Sequence, residues 1–114
     1  MRRIVCAFLS VIIVLALVAC GSRMDGISDQ AYEYGIAALE TADDYIDGKI
    51  DGDTAKDNLS RVSILVDGCD GEHDSLVSSR IALLKFAVTA KANGTGTMDK
   101  VKEKREDLAD ILGK

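Results

Sequence analysis

The stretch Asp53-Thr54-Ala55-Lys56-Asp57-Asn58-Leu59-Ser60-Arg61-Val62-Ser63-Ile64-Leu65-Val66-Asp67-Gly68-Cys69 decides the fold class. Ala55, Leu59, Val62, Val66 and Cys69 recur at steps of 4, 3, 4 and 3, which places one apolar seam along an α-helix. A strand would need alternation at every second residue, and no segment of the chain sustains it. Asp53 is a good N-cap, because its carboxylate can accept from free amides of the first turn. Gly68 is a stop signal at the other end. The spacing predicts a helix over 53–67, with Cys69 extending its seam against the helix that follows.

The same period extends outward in both directions. Over 74–92, Val77, Ile81, Leu84 and Val88 form a second seam, widened by Leu76, Leu83, Phe86 and Ala87. This segment is the most apolar after the amino-terminal run, so it is expected at the centre of a bundle. Asn93-Gly94 ends it. Upstream, Tyr32, Ile36, Leu39, Ala42, Ile46 and Ile50 predict a helix over 28–50, capped by Ser28 or Asp29. Downstream, Met98, Val101, Leu108 and Leu112 predict a helix over 97–112, thin between Val101 and Leu108. Of the 10 glycines, only Gly35 falls in the interior of a predicted helix, the rest lying in the tether, in loops or toward helix ends, and close approach of a neighbour would account for it. Short connections make sequential helices antiparallel neighbours. The expected fold is all-α: a small antiparallel bundle of three to four helices over 28–114, after a cleaved amino-terminal signal helix.

Residues 1–20 read MRRIVCAFLSVIIVLALVAC. Arg2 and Arg3 precede an apolar run from Ile4 to Ala19, interrupted only by Ser10. As a helix the run reaches roughly 24 Å at about 1.5 Å per residue, short of a hydrocarbon core of about 30 Å. It therefore fits a secretory signal better than a permanent span. The run ends in Leu17-Val18-Ala19-Cys20, followed by Gly21-Ser22, and this resembles the lipobox of bacterial lipoproteins. The resemblance implies cleavage before Cys20 and a thioether diacylglycerol on it. Two acyl chains anchor stably where one binds reversibly. The implied segments are a signal peptide over 1–19, a lipidated tether over 20–27 and the bundle. The implied location is a cell membrane or outer membrane, with the protein facing away from the cytoplasm. Eight extended residues reach at most about 28 Å, so the bundle works close to the bilayer.

The corner from Asp44 through Asp53 to Ala55 and Leu59 resembles a helix-turn-helix corner of small helical lipoproteins of uncharacterised role. It supports a helical hairpin there and assigns no activity.

Of 114 residues, 19 are acidic and 14 basic, for a formal charge of −5. Loss of Arg2 and Arg3 with the signal takes the mature chain to about −7. Such a chain lacks the clustered basic surface that nucleic acid requires, so no nucleic-acid partner is expected. Anionic lipid does not attract it either, which leaves anchoring to the lipid on Cys20. With Cys6 discarded and Cys20 lipidated, Cys69 is the one thiol left, and no intramolecular disulfide can form.

Two acidic loops carry candidate chemistry. From Asp47, the first partly follows a calcium-loop register through Asp51, Gly52 and Asp53. Lys49 stands at the third position, however, and Asn58 where a bidentate Glu belongs. Helix capping by Asp51 and Asp53, with Asp43, Asp44 and Asp47 in water, explains the same residues. The second loop sets Cys69 and His73 four residues apart among carboxylates, short of the three or four fixed ligands of a zinc site. A Cys69–His73 nucleophile pair lacks an oriented base and an oxyanion site. Neither a cofactor nor an enzymatic activity is expected. Lys100, Lys102, Lys104 and Arg105, interleaved with Asp99, Glu103, Glu106 and Asp107, read as a solvated face with Lys102–Glu106 paired, or as a contact for an acidic partner or lipid headgroups. Tyr32 reads as core, and Tyr34, off the stripe, as a possible interface anchor. The sequence points to a membrane-anchored, non-catalytic interaction module with an envelope protein as partner. The alternative is a cation- or ligand-binding lipoprotein that uses an aspartate-rich loop.

Overall fold

Three of the four helices begin where a short polar side chain occupies a free amide, and the one that starts at Asp74 has no such cap. In the computed structural model, which describes residues 22–114, Ser28, Asp51 and Thr97 accept from Ala31 N, Thr54 N and Lys100 N. The helices are α1 (Asp29–Ile46), α2 (Gly52–Asp67), α3 (Asp74–Ala92) and α4 (Met98–Leu112). They make up 73% of the described residues, with no strand among them. The all-α bundle expected from periodicity is therefore the fold, with four helices.

Pairs of contacts fix the register. Cys69 lies against Gln30 and Gly52 against Tyr45, so α1 and α2 run antiparallel. Ser63 and Asp67 of α2 both meet Ser78 of α3. Arg80 of α3 donates to the Asp107 carbonyl of α4 at 3.0 Å. Gly35 of α1 lies against Leu112 of α4, while Asp43 meets Arg105 two turns earlier on α4. α1 and α3 touch across the bundle, and α2 and α4 flank that pair on opposite sides. α1 and α3 therefore each contact all three other helices, so α3 shares with α1 the central place its apolar content predicts.

Val77, Ile81, Leu84 and Val88 of α3 are fully buried, as are Ala55 and Leu59 of α2 and Val101, Leu108 and Leu112 of α4. Each large side chain among them contributes about 1.5–3 kcal/mol on removal from water. The thin stretch of α4 is filled by charge: Arg105 reaches Asp43 through Nε–Oδ1 (2.9 Å) and Nη2–Oδ2 (3.1 Å). Asp43 is thus an interhelical partner of Arg105 while its carboxylate stays half-exposed. Ala109 and Ile111, outside the predicted stripe, are buried too.

Four expectations change. α1 ends at Ile46, because Gly48 turns the chain at φ +78°, and Ile50 belongs to the connection. Asp51, two residues earlier than expected, caps α2, while Asp53 lies in its first turn. The buried face of α1 is Ala31, Gly35, Ala38, Leu39 and Ala42, so Tyr32 and Ile36 pack at its margin. Small residues take the centre because α4 comes close: a Cβ on Gly35 would lie 2.8 Å from Leu112 Cδ1. Finally, Leu83 and Phe86 do not widen the α3 seam; they face outward.

Candidate functional site

On the α3 wheel, Leu83 and Phe86 lie opposite Ile81 and Val88. Phe86 is 74% exposed and Leu83 44%. They are not isolated. With Ala87 and Ala90 they form one wall of a groove of about 450 Å³ between α3 and α4. Lys100 and Lys104, one turn apart on α4, form the other wall. Lys100 Nζ lies 3.1 Å from Glu103 Oε1, and Lys104 Nζ lies 3.6 Å from Glu103 and 3.8 Å from Asp107. The Lys100 contact holds the Glu103 carboxyl below its usual range. These are exposed pairs with little net stability. The predicted Lys102–Glu106 pair is not among the ion pairs of the described residues, and Glu106 instead accepts from Arg105 at 3.1 Å.

The groove lies in the half of the bundle away from the amino-terminal entry, and the chain is fastened at that entry. Met24 N donates to the Ile111 carbonyl in the last turn of α4 (2.9 Å), and His73 N donates to the Gly26 carbonyl (2.8 Å). His73 Nδ1 lies 2.9 Å from the Asp25 carbonyl. Gly26 adopts φ +91°, and a Cβ there would fall 2.4 Å from His73 Nδ1. Asp74, only 2% exposed, is the centre of this fastening. Its Oδ1 accepts from Ser28 N (2.8 Å), and its Oδ2 accepts from Ser28 Oγ and Gly71 N (2.7 Å each). Burial is the largest single influence on this carboxyl and pushes its pKa up. The bonds from Ser28 and Gly71, with the nearby Arg23 charge, together outweigh burial and hold it below the ordinary 3.8. From Met24 onward the segment expected as a tether is packed on the bundle. A larger concavity of about 710 Å³ lies between this segment and the first turn of α1, but Arg23 there is already engaged with Asp29 and with the Tyr32 ring, 4.9 Å away.

The structure separates the loop candidates. Asp47, Asp51 and Asp53 are exposed, and the Asp51 carboxylate is committed to Thr54 N at 2.8 Å. That bond is the first cause of its lowered pKa. Cys69 is half-buried and faces α1 rather than α3: its Sγ lies 3.7 Å from Gln30 Oε1 and 3.5 Å from the Leu65 carbonyl. Burial, then the Asp74 and Asp70 charges, raise the thiol pKa. His73 is taken up by the Asp25 carbonyl, so the two side chains are held by different partners. Among the described residues, no group of three or more His, Cys, Asp or Glu is placed to hold a metal ion. Among them, too, no helix is long and apolar enough to cross a membrane. The lipobox Leu17-Val18-Ala19-Cys20, with its lipidation site, lies outside the described residues. Sequence reasoning missed the groove because it assigned every apolar residue of α3 to one seam. The available signal was that apolar residues surround this helix on all sides. Comparison of the chain with protein families, curated proteins and solved structures gives no match.

Proposed function

We propose that the protein is a lipoprotein anchored through Cys20 at the cell envelope, whose bundle serves as a non-catalytic module for binding another envelope protein. The observation that carries the binding role is the α3–α4 groove. A small domain gains nothing for its own stability from a phenylalanine left 74% exposed, and an apolar concavity rimmed by polar residues marks an interaction surface. The lipobox supports the anchoring, and the acidic composition supports a partner other than nucleic acid. Crosslinking in intact cells tests the reading with the full chain and its Leu83→Glu/Phe86→Glu variant. A discrete heteromeric species is expected with the natural chain and is expected to disappear in the variant, while both forms still sediment with membranes. An unchanged species in the variant, or none in either, would overturn the proposal.

A further inference from the structure

The occupant of the groove is constrained by charge, length and direction. In a chain of formal charge −5, the side chains lining this groove include two lysines and no carboxylate, with Glu103 and Asp107 within salt-bridge distance of the two ammonium groups. Lys100 and Lys104 lie one helical turn apart, and their present partners Glu103 and Asp107 are exposed and weakly held. The opposite wall presents Leu83, Phe86, Ala87 and Ala90, spaced i, i+3, i+4 and i+7. This strip is about 10 Å long, or two turns. A helix of about two turns laid along this strip would meet it with apolar anchors at i, i+3, i+4 and i+7 of its own.

The chain's route places the anchor and the groove at different ends of the bundle. Ser22 is the first described residue, two after Cys20, and Met24 is bound to Ile111 at the end of α4. Two extended residues reach about 7 Å, so lipid on Cys20 holds this pole at the surface. From Asp74 at the same pole, Phe86 lies about 18 Å further along α3 and Ala90 about 24 Å. The groove thus opens on the half of the bundle away from the anchored pole.

We propose that the α3–α4 groove receives an acidic amphipathic helix of a partner protein. About two turns of it would dock, with apolar side chains on Leu83 and Phe86 and carboxylates one turn apart on Lys100 and Lys104. This rests on the reading of the protein as an anchored interaction module. It is tested with the full lipidated chain, carrying the photoreactive p-benzoylphenylalanine in place of Phe86, irradiated in the cells the protein comes from. The crosslinked peptide is then sequenced. The expected product is a segment of another protein with helical apolar periodicity and flanking Asp or Glu. Lys100→Glu/Lys104→Glu should lower its yield at least about tenfold, and Lys100→Gln/Lys104→Gln should lower it less, with helicity unchanged in both. Crosslinking to lipid, to a second copy of this chain or to a basic or non-helical segment overturns the inference, as does a yield that charge reversal leaves unmoved. In those cases the heteromeric species lost with Leu83→Glu/Phe86→Glu would still support the module itself; absence of any such species would remove both.

Discussion

Replacing Asp74 with Asn keeps the shape of the side chain and removes its charge, yet no orientation of the amide fits the site. Oδ1 faces the backbone amide of Ser28, and Oδ2 faces that of Gly71. Whichever way the Asn side chain is turned, its NH₂ group meets a backbone N–H, and one donor in a site only 2% exposed is left without an acceptor. A buried unsatisfied donor costs about 1–3 kcal/mol, and the expected loss is about 2 kcal/mol. For a domain of this size that lowers the melting temperature by about 8–16 °C. The pH dependence carries the sign. The folded-state pKa of Asp74 lies below its ordinary 3.8, so the unfolded chain binds the proton more tightly. The carboxylate's contribution is fully present above about pH 5 and is lost as pH falls through the folded-state value. Urea melts of the chain from Ser22 onward should therefore show a gap between the natural protein and Asp74→Asn at pH 7. That gap should narrow on acidification toward pH 3. A gap below about 0.5 kcal/mol at pH 7, or one that widens in acid, would refute the reasoning.

Gly26→Ala should destabilise by about 2 kcal/mol in the same assay, because φ is +91° and the new methyl would overlap the His73 ring; a neutral effect would mean that the entry segment is not packed as described. Leu84→Ala should cost about 2–5 kcal/mol and Phe86→Ala less than about 0.5 kcal/mol, since one is fully buried and the other exposed. Equal effects would show that the faces of α3 are misassigned. The Cys69 thiol, half-buried and with its pKa raised, should react with a disulfide reagent about tenfold more slowly in the folded chain than in urea. Complete reaction within seconds in the folded state would contradict its contact with Gln30.

The four helices were legible because their seams repeat at three and four residues and their ends carry Ser, Asp, Thr and Gly. What periodicity alone leaves open is the rotation of each helix about its axis. On α1 the large residues Tyr32 and Ile36 suggested the buried centre, but the close approach of Leu112 favours Ala31, Gly35 and Ala38 there. On α3 a continuous apolar content concealed two faces, one for the core and one for the groove. The tertiary staple of Asp74 joins residues 46 apart in sequence, and no local pattern announces such a bond. Cys69 continued the seam arithmetically, but Gly68 ends the helix first, so the side chain follows the loop toward α1.

Metabolic labelling with a fatty acid tests the central claim, that this bundle is held at a membrane through Cys20, most directly. The account predicts label on the natural chain, cleaved before Cys20 and recovered with membranes. It also predicts that Cys20→Ala carries no label and accumulates as uncleaved precursor. Label retained by Cys20→Ala at the natural level, or a natural chain that is unlabelled, would contradict it.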